Sequence, residues 1–261
     1  MKSPIRDPSS KTNPYLIPGF HAVRGAMMET RIRIQELWIA EGKTSRRTRD
    51  LLEIARERNI AIRIKKTSEL SRLFPDIAHQ GVVALAEKFA YTDLNQIVEI
   101  SRQGQGQALL IAADHITDEG NLGGLIRTSA FFGANGLIIP KDRSARVTAK
   151  VLKRSSGACI FMPIARVVNM GRALDLLDRK GFWIIGTASE ASETIYQFDW
   201  NRDLVLVLGN EERGLSRSVR NRCHQEVSIP SLGNMASLNV AVAGGVFLSE
   251  ILRQRNRGEI E

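Results

Sequence analysis

The apolar and polar positions of residues 14–88 follow two alternating periods. Three segments with apolar residues every three to four positions predict helices: 19–30, 45–59 and 67–74. Three short apolar-rich runs predict strands: 33–40, 61–66 and 81–87. Ser45 directly precedes the second helical segment and is available as its N-cap. The pattern therefore predicts a small α/β domain over residues 14–88.

From residue 109 the pattern changes to nearly continuous apolar runs that are separated by helical stretches. Six apolar runs predict strands: 109–114, 136–140, 160–166, 182–188, 204–209 and 226–230. Helical stretches that each stop at a glycine lie between them: 120–133, 145–157 and 169–181. Apolar strands alternating with helices are typical of a parallel sheet covered on both faces. We therefore predict an α/β domain with a mostly parallel sheet for residues 108–261.

Two less apolar segments flank the small domain. Residues 1–13 are polar and contain prolines, without the apolar core of a secretory signal, so we expect a disordered arm. Residues 89–107 contain one helical pattern followed by a Gln/Gly run, and we interpret them as the domain linker. No apolar run approaches the ~20 residues that cross a bilayer, so we expect no membrane segment.

The charge balance favours an anionic partner. The net charge is +9 and the pI is near 9.9, and residues 1–88 contain 17 Lys and Arg against 10 Asp and Glu. Clustered basic charge binds a polyanion by counterion release. A basic face that meets only solvent would give the same counts, so charge alone leaves RNA or DNA binding open.

The Cys and His residues indicate no metal chemistry. Cys159 and Cys223 are too few for a disulfide framework or a cysteine-rich zinc site, and we expect two reduced cytoplasmic thiols. The four histidines are scattered and show no metal-ligand spacing.

Polar, glycine-containing loops follow three of the predicted strands, within residues 114–133, 209–216 and 229–245. Ligands of parallel sheets bind beyond the carboxyl ends of the strands, where these loops fall. In the first loop Asn121 stands where a helix N-cap is expected, and capping alone would explain it. Arg127, inside an apolar helix face, needs an anionic partner or access to water.

Two nucleotide sites are disfavoured by the same loops. The spacing Gly209-x4-Gly214 resembles a phosphate-binding loop, but no Lys follows Gly214 and Glu211 and Glu212 would repel a phosphate. The sequence after the first strand of the second domain lacks the G-x-G-x-x-G of dinucleotide-binding domains, which speaks against an oxidoreductase.

Taken together, the three loops resemble the signature motifs of the SpoU (TrmH-type) ribose methyltransferases of the SPOUT superfamily. The motifs occur in order as NLGGLIRTSAFFG, LVLGNEERGLS and IPSLGNMASLNVAVA, which begin at Asn121, Leu206 and Ile229. The N-terminal PGFHAV and HQGVVALA resemble the small RNA-binding domain that many family members carry. IPKDRSA, from Ile139, is similar to the bacterial enzymes that modify a guanosine of large-subunit rRNA.

The resemblance implies a deep C-terminal trefoil knot, a homodimer, S-adenosylmethionine as the cofactor and methylation of a ribose 2′-hydroxyl in RNA. It favours a guanosine of ribosomal RNA as the substrate over tRNA, because of the basic N-terminal domain and the KDRSA segment. A non-catalytic RNA-binding or ribosome-assembly factor on the same fold is a further alternative. The presence of all the motif side chains argues against it.

The resemblance also assigns residues to roles. The catalytic set that it implies is Arg127, Asn121, Glu211, Ser237 and Asn239. The cofactor-binding set is Thr187, Leu208, Gly209, Ile229 and Leu238. In the basic N-terminal domain, Arg46, Arg47 and Arg49 are the candidate RNA phosphate contacts. Because arginine stays protonated in proteins, we expect Arg127 to bind the RNA phosphate and orient the hydroxyl, while the phosphate or a water takes the proton.

Overall fold

The computed structural model describes residues 15–28, 32–75, 77–87, 89–104, 106–235 and 237–256. The chain forms two compact units, residues 1–90 and 91–261. The predicted arm, residues 1–13, lies outside the described residues.

The first unit is an α/β domain around a four-stranded sheet, as the pattern predicts. Its elements are β1 (Tyr15–Pro18), α1 (Phe20–Met28), β2 (Ile34–Ala40), α2 (Arg46–Glu57), β3 (Ala61–Lys65), α3 (Thr67–Leu73) and β4 (Val82–Ala86). The strand order is β1-β4-β2-β3, with β2 and β3 parallel and the other pairs antiparallel. The pattern missed β1, whose four residues are too few to show a period.

Helix α2 forms where the apolar spacing places it. The Ser45 hydroxyl accepts a hydrogen bond from the backbone N–H of Thr48 at 3.2 Å, so Ser45 caps the helix as predicted. Leu51 and Ala55, one turn apart, are fully buried on its inner face. The arginines near its start are therefore left on the outer face.

The second unit contains the remaining elements. The strands are β5 (Leu109–Ala113), β6 (Gly136–Pro140), β7 (Ile164–Val167), β8 (Trp183–Thr187), β9 (Glu193–Thr194), β10 (Leu204–Leu208) and β11 (Gln225–Ser228). The helices are α4 (Leu94–Gln103), α5 (Glu119–Phe131), α6 (Ala149–Arg154), α7 (Ala158–Phe161), α8 (Met170–Arg179), α9 (Arg217–Arg220) and α10 (Val240–Arg255).

The seven strands form one parallel sheet in the order β7-β6-β5-β10-β8-β11-β9. The chain thus inserts β10 between β5 and β8, which places the first and second polar loops on neighbouring strands. Among the described helices, none is both long and apolar enough to cross a membrane.

One predicted strand, residues 160–166, is wrong in its first half. Ala158–Phe161 is a short helix, and β7 begins only at Ile164. Pro163 explains the break, because it has no N–H and disfavours the helical conformation in Met162, which is extended at ψ 125°. An apolar run of this length gives no period that separates strand from buried helix.

The predicted linker, residues 89–107, includes part of the second unit. Helix α4 is capped by the Asp93 carboxylate, which accepts a hydrogen bond from the N–H of Asn95 at 2.8 Å. Leu94, Ile97 and Val98 of this helix are buried in the main apolar core with residues of α8. The boundary between the compact units therefore lies at residues 90 and 91, before the helix.

Helices cover both faces of the large sheet. Leu110 and Val205 belong to the core that α4 and α8 close. On the other face, Leu208 of β10 lies under α10, where a Cβ on Gly244 would be 3.4 Å from its Cδ1. Helices α5 and α10 pack closely there, since a Cβ on Gly124 would lie only 3.1 Å from the Cβ of Ala241.

Gly123→Ala is expected to destabilise the second unit. The new Cβ would lie 2.5 Å from the Cβ of Arg154 in α6 and 3.2 Å from the carbonyl oxygen of Val151. Overpacking costs about 1–3 kcal/mol, more than the ~0.5–1 kcal/mol that Ala gains over Gly in a helix. The free energy of unfolding, from urea denaturation followed by circular dichroism, checks this.

Gly104→Ala is the matched control. A Cβ on Gly104 meets nothing within 4 Å and its φ is −76°, so its unfolding free energy is expected to be unchanged or slightly higher. Equal stability of the Gly123→Ala variant and the wild type would contradict close packing of α5 on α6.

Candidate active site

The polar loops meet at one edge of the large sheet. Strands β5, β10, β8 and β11 are consecutive neighbours and all parallel, so their carboxyl ends lie side by side. The loops that follow them contain most of the residues that the sequence singles out. The predicted meeting of these loops is confirmed.

A chain of three side chains joins the loops. The Nδ2 of Asn239 donates a hydrogen bond to the Oδ1 of Asn121 at 2.8 Å. The Nδ2 of Asn121 donates in turn to the Oε1 of Glu211 at 2.6 Å. A carboxylate only accepts hydrogen bonds, so Glu211 fixes the orientation of the Asn121 amide and leaves its oxygen for Asn239. Asn121 lies in the first turn of α5, Glu211 in the loop after β10 and Asn239 at the start of α10. We call these three residues the amide chain.

The expectation that Asn121 is the N-cap of α5 is wrong. Asp118 is the N-cap, and its carboxylate accepts from the backbone N–H of Asn121 at 2.7 Å. Asn121 is therefore the third residue of the helix, and its side chain is free for the amide chain. Asn239 combines both tasks, because its Oδ1 accepts from the N–H groups of Ala241 and Val242 and caps α10.

The loop after β10 is held by Asn210. Its Oδ1 accepts from the N–H groups of Glu212 and Arg213 at 3.0 and 3.2 Å, which is a local Asx-type turn. Its Nδ2 donates to the carbonyl of His115 at 2.9 Å and lies 3.3 Å from the Oε2 of Glu211. Asn210 therefore links this loop to the end of β5 and supports the Glu211 carboxylate from its second side. The sequence prediction missed Asn210, although Asn before a turn is a detectable signal.

Gly209 is required by the path of the same loop. A Cβ at this position would lie 2.3 Å from the carbonyl carbon of Gly214 and 2.6 Å from the backbone nitrogen of Leu215. These are backbone atoms that a side-chain rotation cannot move. Asn210 and Gly214 also exchange two backbone hydrogen bonds, of 3.0 and 2.9 Å, so the loop closes tightly on itself.

Asp114, at the end of β5, was also missed. Its side chain is buried, accepts from the N–H of Ser216 at 2.7 Å and lies 2.6 Å from the Nδ1 of His115. A buried carboxylate needs such partners. Asp114 thereby fastens the far end of the loop after β10 to the end of β5. The polar residue that ends an otherwise apolar strand was the available signal.

Arg127 and Ser237 lie outside the amide chain. Six residues separate Asn121 from Arg127, a rotation of about 240° around the helix, so the two side chains leave α5 in different directions. Both Arg127 and Ser237 are exposed, and neither side chain makes a hydrogen bond or ion pair with any described residue. Arg127 therefore presents an unpaired guanidinium to solvent, a site for an anion.

The candidate cofactor residues share the same edge of the sheet. Thr187 ends β8 beside Val227 of β11, and its hydroxyl donates to the carbonyl of Val207 in β10 at 3.1 Å. Leu208 is buried, and Gly209 and Ile229 directly follow their strands. Leu238, with 51% of its surface exposed, precedes the N-cap of α10.

These residues fit a nucleoside-like cofactor. The backbone N–H and C=O groups of Gly209, Ile229 and Leu238 have no hydrogen-bond partner within the described ranges. Gly209 and Ile229 are half-buried, where an unpaired backbone group is costly. An adenine ring offers donors and acceptors to such groups, and the exposed side chain of Leu238 offers it an apolar contact.

The candidate RNA contacts lie in the first unit. Arg46, Arg47 and Arg49 are all exposed in the first turn of α2, and the Arg47 guanidinium lies 5.6 Å from the centre of the Phe20 ring. None of the three pairs with a carboxylate in the described part of the chain. They form a basic helix end that is open to a polyanion.

Thiol and metal chemistry find no support at this site. Burial raises the pKa of Cys223, which lies under the loop after β10, to about 12, and that of Cys159 also to about 12. Both thiols therefore stay protonated at neutral pH and are poor nucleophiles. Within the described residues, no group of three His, Cys, Asp or Glu side chains is arranged to hold a metal ion.

Comparison with known proteins gives consistent matches over both units. Residues 108–249 match the SpoU rRNA Methylase family, and residues 16–92 match the domain described as RNA 2′-O ribose methyltransferase substrate binding. The chain is 39% identical over 237 residues to the 23S rRNA (guanosine-2′-O-)-methyltransferase RlmB of Pseudomonas aeruginosa, covering 91% of this chain and 95% of that protein. It is 33% identical to the putative TrmH family tRNA/rRNA methyltransferase YacO of Bacillus subtilis, covering 95% and 98% of the two chains.

A solved structure matches the fold. The SpoU methyltransferase AviRb from Streptomyces viridochromogenes, in complex with the cofactor AdoMet, superposes with a TM-score of 0.80. The two chains are 27% identical, and the match covers 94% of this chain and 92% of AviRb.

Asn239→Ala and Asn239→Asp are expected to separate the two tasks of Asn239. Loss of the cap in the Ala variant lowers the free energy of unfolding by about 1 kcal/mol. Aspartate is an equally good N-cap, so the Asp variant keeps most of that stability. Both variants lose the donor to Asn121, so both shift the Asn121 side-chain amide signals in an NMR spectrum. Equal destabilisation by Asp and Ala would contradict the capping role.

Proposed function

The chain belongs to the SpoU rRNA methylase family, and we propose that it methylates the ribose 2′-hydroxyl of a guanosine in large-subunit ribosomal RNA. Its enzyme class is that of the S-adenosylmethionine-dependent RNA 2′-O-methyltransferases. The observation that carries the proposal is the amide chain, because it assembles the three family motifs at one edge of the sheet. The name of the Pseudomonas aeruginosa relative supports ribosomal guanosine as the substrate.

The free backbone groups of Gly209, Ile229 and Leu238 would hold the adenosine part of S-adenosylmethionine, and Thr187 would line the same pocket. When bound, this cofactor supplies an electrophilic methyl group. Leu238 would cover part of the ring and keep water from it. The tight loop from Gly209 to Gly214 is held by Asn210 and Asp114, so the backbone of Gly209 is already in place before the cofactor binds.

Arg127 would bind the phosphate next to the target ribose. Its guanidinium is exposed and unpaired with the described residues, so no ion pair has to be broken first. A bidentate contact fixes the orientation of a phosphate and therefore of the ribose attached to it. The 2′-hydroxyl would give its proton to the phosphate or to a water. The methyl group would leave the cofactor's sulfur for the hydroxyl oxygen, and the sulfur would keep the bonding pair as a neutral thioether. Arginine itself stays protonated and is not the base.

The remaining motif residues would position these groups. Asn121, Glu211 and Asn239 hold the three loops in register through the amide chain. Ser237, exposed just before the N-cap of α10, would contact the ribose or the phosphate.

The first unit would bind the phosphate backbone of the RNA. Arg46, Arg47 and Arg49 present three unpaired cations, and phosphate contacts of this kind position an RNA without reading its sequence. The specificity for a guanosine would then come from bases that are unstacked in a loop.

A homodimer is part of the proposal. Support comes from an apolar surface of the second unit, where Phe131, Tyr196 and Val242 are 81%, 61% and 53% exposed. Tyr196 and Val242 also line an open cleft of about 460 Å³, together with Phe132, which directly follows α5, and further residues of α10. A second copy of the chain would cover this surface. The trefoil knot and the cytoplasmic location also stay predictions.

Arg127→Ala is expected to lower kcat/KM for methyl transfer about 10²-fold, because the target ribose is no longer held in its reacting geometry. The affinity for S-adenosylmethionine is expected to stay near the wild-type value. Single-turnover rates and calorimetric titration of the cofactor measure the two. Arg127→Lys, which keeps the charge but not the planar fork, should recover only part of the rate. Parallel loss of rate and cofactor affinity would refute the phosphate-binding role.

The substrate is tested by methyl transfer from radiolabelled S-adenosylmethionine into unmodified large-subunit rRNA and, separately, into bulk tRNA. We expect label in the rRNA, at a linkage that resists alkaline cleavage because its 2′-hydroxyl is blocked. Label in tRNA alone would support the proposed methyl transfer but would show that tRNA, and not rRNA, is the substrate. Label in neither RNA, with the cofactor still bound, would contradict activity on free rRNA and favour a role in RNA binding or assembly.

A further inference from the structure

A second basic surface lies on the methyltransferase unit, in the segment that follows β6. Residues 141–154 contain six basic side chains and one acidic side chain, Asp142. We call the six the α6 basic surface: Lys141, Arg143, Arg146, Lys150, Lys153 and Arg154. All are exposed except Lys153, which is half-buried. In the described chain only Lys150 has an ion-pair partner, Glu119, at the long distance of 4.0 Å.

The backbone beneath this surface is fixed to the active-site edge. The hydroxyl of Ser144 and the N–H of Ala145 both donate to the carbonyl of Ile116, at 3.1 and 2.8 Å. Ile116 belongs to the loop that leads from β5 into α5. The N–H of Val147 donates to the Tyr91 hydroxyl at 3.0 Å, and Thr148 donates to Glu119 in the first turn of α5 at 2.8 Å. The cations are therefore held beside the amide chain by a well-anchored segment.

Arg154 brings this surface next to Arg127. The backbone of α6 packs so closely on α5 that a Cβ on Gly123 would lie 2.5 Å from the Cβ of Arg154. Gly123 and Arg127 are four residues apart and share one face of α5. Arg154 thus leaves α6 one helical turn from Arg127, and both side chains are exposed and unpaired within the described residues.

The opposite face of the sheet shows a different charge arrangement. On α8, Asp175 accepts from Arg222 at 2.7 Å and Asp178 lies 3.1 Å from His224. Two carboxylates thus accompany the cations there. The α6 basic surface has almost no such compensation, and uncompensated cations at the rim of a site attract a polyanion.

We propose that the α6 basic surface binds the RNA phosphates that flank the target nucleotide, with Arg154 contacting the phosphate next to the one at Arg127. This inference rests on the proposed function, since it takes RNA as the substrate. It adds to the arginines of α2 a second group of contacts on the catalytic unit itself. Such contacts hold the strand in place at the reacting ribose, which the first unit alone does not do.

The test compares two charge-matched double variants of the full chain. The first, Arg146→Gln with Arg154→Gln, removes two exposed cations of the α6 basic surface. The control, Arg172→Gln with Arg179→Gln, removes two exposed cations of α8 on the other face. Binding of transcribed large-subunit rRNA is measured between 50 and 200 mM salt (about the range over which phosphate contacts are lost), and cofactor affinity is measured as a check on folding.

The first double variant is expected to reduce the slope of log affinity against log salt by about 1.4–1.8, the value for two lost phosphate contacts. Its cofactor affinity should match the wild type, and the control should keep the wild-type slope. An unchanged slope in the first variant, or an equal reduction in the control, would overturn the proposal. The readout is RNA affinity, so the experiment tests RNA binding by the α6 basic surface even if no methyl transfer to rRNA is found. The absence of methyl transfer would refute the proposed function and leave this test valid.

Discussion

The site depends on one side-chain amide, that of Asn121. It donates to Glu211 and accepts from Asn239, and so it joins loops that are 90 and 118 residues away along the chain. A neutral amide can do this because it carries both donors and an acceptor, whereas a carboxylate or an ammonium group offers only one kind. Asp114 and Asn210 also join the loop after β10 to the end of β5, and the Asn121 amide connects the segment before α10 to both. The relative positions of the three segments follow from these contacts together.

The amide can reach its partners only because the backbones around it approach closely. Gly124 and Gly244 let α5 and α10 pack with little space between them, which brings the start of α10 to the first turns of α5. Gly209 permits the loop after β10 to fold back on its own backbone. At these positions the lack of a side chain is as necessary for the site as the polar side chains are. Helix α6 also packs closely on α5. This packing places Arg154 near the face of α5 on which Arg127 lies.

The sequence was sufficient for features that depend on local periodicity and on recognisable motifs. The helix from Arg46, its Ser45 cap, the parallel sheet and the meeting of the polar loops were all predictable from it. The sequence was insufficient for features that depend on contacts between residues far apart along the chain. Asn121 was expected to cap α5 because the sequence does not show whether the helix begins after Asp118 or after Asn121. Only the path of the backbone shows that Asp118 is the N-cap. Asp114 and Asn210 were missed because their partners, Ser216 and His115, lie about 100 residues away in the sequence.

Asn239 has a consequence for the order in which the molecule becomes active during synthesis. It caps α10, the last helix of the second unit along the chain, and it also completes the amide chain. Because domains form during synthesis from the N-terminal side, the basic first unit can fold while α10 is still absent. A nascent chain at that stage has the α2 arginines for which we propose phosphate contacts, but it lacks the completed amide chain. If these arginines bind RNA as proposed, binding competence precedes catalytic competence, and a chain that stops before α10 would bind RNA without activity.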